Sequence, residues 1–304
     1  MSGAEMSYRD LYVSHSMAFS GFQKTFEEAD YVVIGVPFDV TSTYRTGARF
    51  GPNAIREASL NIETYSFRSG MDVENLRIHD LGDLHVSTDT EQTLEKLAKV
   101  VEEILEAGKT PVTIGGEHTV TLGVLKGFGG KASKMAVLCF DAHLDLRDEF
   151  MGLRVSHTTF MRRLNEQLKP AKILEVGTRA VCREELDYAE KAGIEFIKAQ
   201  QIRREGAEQA LKILKRKLAH VESVYVSVDM DVLDPAYAPA VQNPEPEGLE
   251  SHTLLDILCS LCDKRIIGLD VVEVAPNYDS GVTAIQAAKV IFEMLCSIEK
   301  ARTG

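Results

Sequence analysis

Short apolar runs rich in β-branched residues recur along the chain, separated by longer stretches with helical spacing of apolar positions. The clearest runs, at 31–36, 111–114, 135–140, 172–176, 224–228 and 265–272, predict strands. Residues 90–107 carry Leu94, Leu97, Val100, Val101, Ile104 and Leu105 at helical spacing and stop before Gly108, which predicts a helix. Residues 206–220 and 282–300 read the same way. Several strands are apolar at every position rather than alternating, as expected when helices cover both faces of a sheet. Repeated strand–helix alternation implies crossover connections and a mostly parallel sheet, hence the α/β class. No Pro- or Ser-rich linker and no internal repeat divides the chain, so residues 1–304 are expected to form a single domain. In such folds the reactive groups gather beyond the carboxyl ends of the strands.

Composition narrows the function classes. With 44% hydrophobic and 26% charged residues the chain is not a disordered one. Its 34 Lys and Arg against 46 Asp and Glu give a formal charge of −12, which argues against binding nucleic acid through phosphates. A small cationic substrate suits that field better. No apolar run approaches the roughly 18 residues of a membrane helix. The start lacks a basic segment followed by an apolar core, so no secretory signal is expected. Five scattered cysteines point to a reducing cytoplasm rather than a disulfide framework. Cys259 and Cys262 form a C-x-x-C, but they lie among Leu254, Leu255, Ile257, Leu258 and Leu261 and read as core packing.

Three strand ends carry metal-type ligands. The run Val112-Thr-Ile-Gly-Gly-Glu-His118 delivers His118, and Val137-Leu-Cys-Phe-Asp141-Ala-His143-Leu-Asp145 delivers Asp141, His143 and Asp145. A third, Val226-Ser-Val-Asp229-Met-Asp231-Val-Leu-Asp234-Pro235, delivers Asp229 and Asp231. Residues two apart on an extended strand face the same way, so each group can converge on one point. Acids crowded at the end of an apolar strand are costly unless a cation compensates them. Asp234, before proline, is accounted for as a turn residue. Six ligands exceed what one catalytic zinc takes, and bridging carboxylates between two ions would use them well. Oxygen-rich donors with imidazole suit manganese, without excluding iron, cobalt or nickel. Two metals lower the pKa of a bridging water and set hydroxide against an electrophilic carbon, so the pattern points to metal-assisted hydrolysis.

These strand endings resemble the signature motifs of the ureohydrolases, the arginase and agmatinase family. The resemblance extends to Gly47-Ala-Arg-Phe-Gly-Pro-Asn-Ala-Ile-Arg56, to Asn243-Pro-Glu-Pro246 and to Glu273 in Asp270-Val-Val-Glu-Val-Ala-Pro276. It implies a three-layer α/β/α arginase-like fold and a homo-oligomer, commonly a trimer or hexamer. It also implies two Mn²⁺ ions per subunit, His118 and Asp145 on one, His143 and Asp231 on the other, and Asp141 and Asp229 bridging. Glu273 matches the carboxylate that holds the substrate guanidinium, and a bidentate carboxylate suits that planar group. A structural salt bridge with an arginine is the alternative for Glu273. His157 matches the family's proton-carrying histidine, for which an ordinary pKa near ~6.5 is apt. A solvated histidine at a helix start is the other reading. By this resemblance Asp145 would assist proton transfer to the departing amine and His157 would resupply the proton.

No asparagine precedes His157, whereas arginases read the amino-acid end of their substrate with one near that histidine. Ser156-His-Thr-Thr-Phe-Met-Arg162 looks more like an agmatinase of the archaeal type, so agmatine, yielding urea and putrescine, is the expected substrate. Arginine and guanidino acids such as guanidinobutyrate remain alternatives, with Arg147, Arg154 or Arg183 able to meet a carboxylate. A one-zinc deacetylase-like relative would carry adjacent histidines, and none occur. An inactive homologue fits poorly, because all six ligand positions and Glu273 are filled. Glu117 stands where many agmatinases have aspartate, and Ala240-Val-Gln-Asn243 replaces a glycine-rich stretch, which implies a stiffer loop. His15, His79, His85, His220 and His252 fit no ligand group. Asp80-Leu-Gly-Asp83 is expected to be a turn and Arg183-Glu184-Glu185 a solvated helix start.

Overall fold

Alternation within the central strands divides their apolar side chains between two cores, one on each side of a sheet. The computed structural model describes residues 7–15 and 17–304. Its strands are β1 (Val13–Ser14), β2 (Tyr31–Val36), β3 (Tyr65–Ser66), β4 (Met71–Asp72), β5 (Ile78–Leu84) and β6 (Thr110–Gly115), followed by β7 (Ala136–Phe140), β8 (Lys172–Thr178), β9 (Glu195–Lys198), β10 (Val224–Asp229) and β11 (Ile266–Val272). Nine of them make one sheet in the order β1-β5-β2-β6-β11-β10-β7-β8-β9. Every neighbouring pair in it is parallel except the short edge strand β1 on β5. β3 and β4 form a separate antiparallel pair.

On β7, Ala136, Leu138 and Phe140 face one core, while Val137 and Cys139 face the other. The first core is closed by helices that contribute Ile55, Ala210, Leu254 and Ala287, and the second by helices that contribute Leu94, Leu97, Val120 and Phe160. The helix Thr90–Glu106 shows how sequence sets this packing. Asp89 caps it by accepting the N–H of Gln92 at 3.1 Å, and Leu94, Leu97, Val100, Val101 and Ile104 are buried along one stripe. The chain is thus a three-layer α/β/α fold with a mostly parallel sheet, as expected. The predicted helices at 206–220 and 282–300 are found as Ala207–Lys217 and Val282–Thr303. Cys262, just beyond the helix Ser251–Leu261, is a buried free thiol of the core, whereas Cys259 within that helix is a free thiol only half-buried, so core packing holds for Cys262 and not for Cys259.

Two expectations are corrected. Asp80-Leu-Gly-Asp83 is not a turn; it lies within β5. Its acids are tolerated there because Arg56 is buried against them. Arg56 donates through Nε and Nη2 to Asp80 at 2.8 and 2.9 Å, and through Nη1 to Asp83 at 2.5 Å. Arg183-Glu184-Glu185 does start a helix, Arg183–Ala192, but Glu185 is buried rather than solvated. Its carboxylate accepts the N–H of Cys182 at 2.9 Å and of Leu146 at 3.2 Å, which ties the helix start to the segment after β7.

The sheet order brings the candidate ligands together. β6, β11, β10 and β7 are consecutive and parallel, so the candidate ligands at the carboxyl ends of β6, β10 and β7 lie side by side with Glu273 at the end of β11.

Candidate active site

The glycine pair at the end of β6, Gly115 and Gly116, lets that strand end approach its neighbours closely. A Cβ on Gly116 would lie 1.8 Å from the carbonyl oxygen of Phe38, and one on Gly115 would lie 2.6 Å from Val272 Cγ1. With that approach, Glu273 donates its N–H to the carbonyl of Gly116 at 2.8 Å, and His118 enters the space above β10. Asp145 and Glu273 both hold left-handed backbone conformations, with φ of 52° and 70°. Such strain in non-glycine residues persists where the surroundings fix the side chain.

The six candidate ligands converge at these strand ends. His118 Nδ1 stands 3.0 Å from Asp141 Oδ2, 3.1 Å from Asp229 Oδ2 and 3.6 Å from Asp145 Oδ2. His143 Nδ1 stands 3.0 Å from Asp231 Oδ2 and 3.4 Å from Asp141 Oδ1. Asp141 therefore turns one oxygen toward each histidine. His118 is oriented from behind: its Nε2 meets Ser227 Oγ at 2.9 Å, and Ser227 donates to Asp270 at 2.6 Å. Asp270 also accepts from Tyr225 at 2.6 Å and Thr121 at 2.9 Å. With its only hydrogen committed to Asp270, Ser227 can accept only from Nε2–H, which leaves the Nδ1 lone pair facing the carboxylates. Cys139 Sγ lies 3.7 Å from Nε2, on the side of the ring away from Nδ1.

The electrostatics of this cluster call for a cation. Burial pushes Asp145 well above the ordinary carboxylate range, and the charge of Asp141 adds to the rise. Burial, with Asp231 and Asp141 close by, does the same to Asp229. Asp141 goes the other way, because the closeness of His118 and His143 overcomes the effect of burial and holds it low. Burial opposes a charge on His143, yet Asp231 and Asp141 lift it well above its usual value. His118 Nδ1 is buried without a hydrogen-bond partner, as is Glu273 Oε2. A buried imidazole lone pair ringed by three carboxylate oxygens is a donor set for a divalent ion, so the residues present fit the implied metals.

A cleft of about 460 Å³ opens onto this cluster, lined among others by His143, Asp145, His157, Asp229, Asp231 and Glu273. Glu273 is buried and its Oε1 accepts the N–H of His118 at 2.7 Å. No arginine or lysine pairs with it among the described residues. Burial pushes its carboxyl well up, and the charges of Asp229 and Glu117 add to this. His157 is buried rather than solvated, held by Thr41 and Thr43, and burial lowers it to about 4, with His143 and His118 contributing.

Several residues of the site carry no recognisable motif. Arg179 follows β8 and spends its donors on backbone carbonyls: Asp231 at 2.6 Å, Glu245 at 2.8 Å and Pro246 at 2.9 Å, with longer bonds to Gly177, Val232 and Leu233. It pins the Asp231 segment to the segment that carries Glu245. A lone arginine after a strand gives no sequence signal for this role. The stiffer loop implied by Ala240-Val-Gln-Asn243 is buried at Ala240 and Val241, and is tied down by Ala240 N–H to Thr283 Oγ1 at 2.9 Å and Ala275 N–H to Ala240 O at 2.8 Å. Of the three arginines able to meet a substrate carboxylate, only Arg147 lines the cleft, stacked 4.8 Å over Phe150. Arg154 pairs with Asp148 at 3.1 Å and Arg183 with Asp187 at 2.9 Å, outside it.

Comparison with known proteins gives the class. The model of the arginase family matches residues 29–296, and the chain belongs to that family. It is 36% identical over 277 residues to an agmatinase of Bacillus anthracis, a match covering 89% of this chain and 92% of that protein. Among solved structures it resembles the agmatine ureohydrolase of Thermoplasma volcanium, with a TM-score of 0.88, 35% identity, and coverage of 95% of this chain and 97% of the other. It also resembles the proclavaminate amidino hydrolase of Streptomyces clavuligerus, with a TM-score of 0.87, 31% identity, and coverage of 95% and 99%. Among the described residues no helix is long and apolar enough to cross a membrane.

Proposed function

We propose that this arginase-family hydrolase is an agmatinase, cleaving the guanidinium of agmatine to urea and putrescine with two manganese ions. The observation that carries this reading is Glu273. A buried carboxylate with one oxygen anchored and the other unpartnered, beside a histidine–aspartate cluster, is a receptor for a planar cation. His118, Asp145, His143 and Asp231 would hold the ions, with Asp141 and Asp229 shared between them. Such a pair supplies a water of lowered pKa as nucleophile at neutral pH.

The chain's own residues do the rest. Glu273 Oε2 accepts guanidinium N–H bonds and fixes the carbon above the cluster. Asp145, which lines the cleft and is pushed up by burial, is suited to carry a proton toward the departing amine nitrogen. His157, on the same cleft, resupplies that proton. Glu245 gives the rim an acid whose Oε1 is 4.0 Å from His143 Nε2, and it suits the amino end of agmatine. Urea release from agmatine by the manganese-loaded protein, and none by the metal-free protein, is the direct test.

Arg147 supports a second reading, a guanidino acid whose carboxylate this cation would meet. It lines the cleft without a carboxylate partner among the described residues. Its removal separates the two: Arg147→Ala lowers kcat/KM for 4-guanidinobutyrate if that acid is the substrate, and leaves agmatine little affected.

A further inference from the structure

Behind His157 lies a chain of hydrogen bonds that the proposed reaction does not itself require. Glu117 is fully buried and accepts the N–H of Thr41 on Oε2 at 2.8 Å. Its Oε1 accepts the hydroxyls of Thr41 and Thr119, each at 2.5 Å. Thr41 Oγ1 in turn accepts the backbone N–H of His157 at 3.1 Å and faces His157 Nδ1 at 3.2 Å. On the other side of the ring, Nε2 faces Thr43 Oγ1 at 3.3 Å. Thr43 and His157 line the cleft, whereas Thr41 and Glu117 are not among its lining residues.

Counting hydrogens decides the ring's state. A threonine hydroxyl has one hydrogen to give, and that of Thr41 goes to Glu117. Toward His157, Thr41 Oγ1 is therefore an acceptor only, and Nδ1 must carry a hydrogen to meet it. The geometry points to Glu117 and Thr41 as positioning residues that hold His157 in its Nδ1–H tautomer, so that Nε2 alone exchanges protons with the cleft. In the proposed reaction, Asp145 passes a proton to the amine nitrogen as the C–N bond breaks, and imidazolium His157 replaces it from Nε2. His157 is left neutral with Nδ1–H intact and takes a new proton from water. Glu117, the glutamate next to the ligand His118, thereby has a task separate from ligation. The chemical part rests on the agmatinase reading; the tautomer does not.

Two measurements test it. In a neutron structure of the manganese-loaded protein at neutral pD, a deuteron on His157 Nδ1 and none on Nε2 is expected. A bare Nδ1 overturns the proposal whatever the substrate proves to be; a deuteron on each nitrogen is the imidazolium form of the same arrangement and supports it. In kinetics, Thr41→Val and Glu117→Gln should each lower kcat by ~10²-fold, the scale of a displaced general acid, with little change in KM or bound manganese. Thr41→Ser, which keeps the hydroxyl, should recover most of that loss. In a His157→Asn background Thr41→Val should cost nothing further. A full additional loss there shows that Thr41 acts on something other than His157. A protein that turns over no guanidine yet shows the expected deuterons contradicts the agmatinase reading and leaves the tautomer standing.

Discussion

Glu273 uses one carboxylate oxygen to accept the backbone N–H of His118 at 2.7 Å, and leaves the other buried with no partner. The first bond fixes the acid's direction, and the second oxygen is then available to a ligand. Glu273→Gln keeps the shape and removes the charge. A hydrogen bond to a charged partner is worth about 1.5–3 kcal/mol, so kcat/KM for agmatine should fall roughly 10- to 100-fold. Manganese content by elemental analysis should stay at the wild-type level. Loss of metal along with activity would reassign Glu273 to the ligand set.

Asp229 stands 3.1 Å from His118 Nδ1 and accepts the N–H of Asp231 at 2.8 Å. Asp229→Ala should remove activity together with manganese, because in the proposed site this acid is shared between the two ions. The mass balance can be read by metal analysis after gel filtration. Two tightly held ions in the variant would contradict the shared role.

The metal-free protein should lose stability as pH rises. Asp145, Asp229, Glu273 and His143 all have folded-state pKa values raised above their ordinary ones. A group raised in this way stabilises the fold below its unfolded value, about 4 for the acids and ~6.5 for the histidine, and that contribution is lost as pH climbs through the folded value. Asp141, held low, has the opposite sign, and its contribution is lost only as pH falls through its depressed value. His157, lowered to about 4, opposes this only below its unfolded value, so melting temperature of the chelated protein should fall as pH rises above about 6.5. Manganese at ~100 times its Kd should restore about 2.7 kcal/mol. A chelated protein whose melting temperature rises over that range would show that the buried acids are compensated by something other than protons.

Arg56 offers a control away from the chemistry. Its bonds to Asp80 and Asp83 are the reason two acids sit inside β5. Arg56→Ala strands those charges and should cost about 3–5 kcal/mol in denaturant unfolding. Manganese binding by the surviving folded protein should persist. A change below about 1 kcal/mol would mean that the pair is not what holds the acids in the strand.

The candidate ligands were legible because of where they stand on strands. In Asp141/His143/Asp145 and Asp229/Asp231 a spacing of two follows an apolar run, and the sheet order then puts those strand ends together. The partners of His157 were not legible, since Thr41 lies 116 positions away and gives no periodic or motif signal. The same holds for Arg179, whose acceptors are backbone carbonyls and so carry no residue identity. Asp80 and Asp83 misled for a related reason. Acids beside a glycine read as a turn until a distant buried arginine is known.

The most direct measurement is urea release by the manganese-reconstituted protein offered agmatine, arginine and 4-guanidinobutyrate side by side. The expected result is urea and putrescine from agmatine at a kcat/KM well above the other two. Urea from 4-guanidinobutyrate or arginine but not from agmatine would contradict the substrate, and no urea from any of the three would contradict the hydrolysis of guanidines by this site.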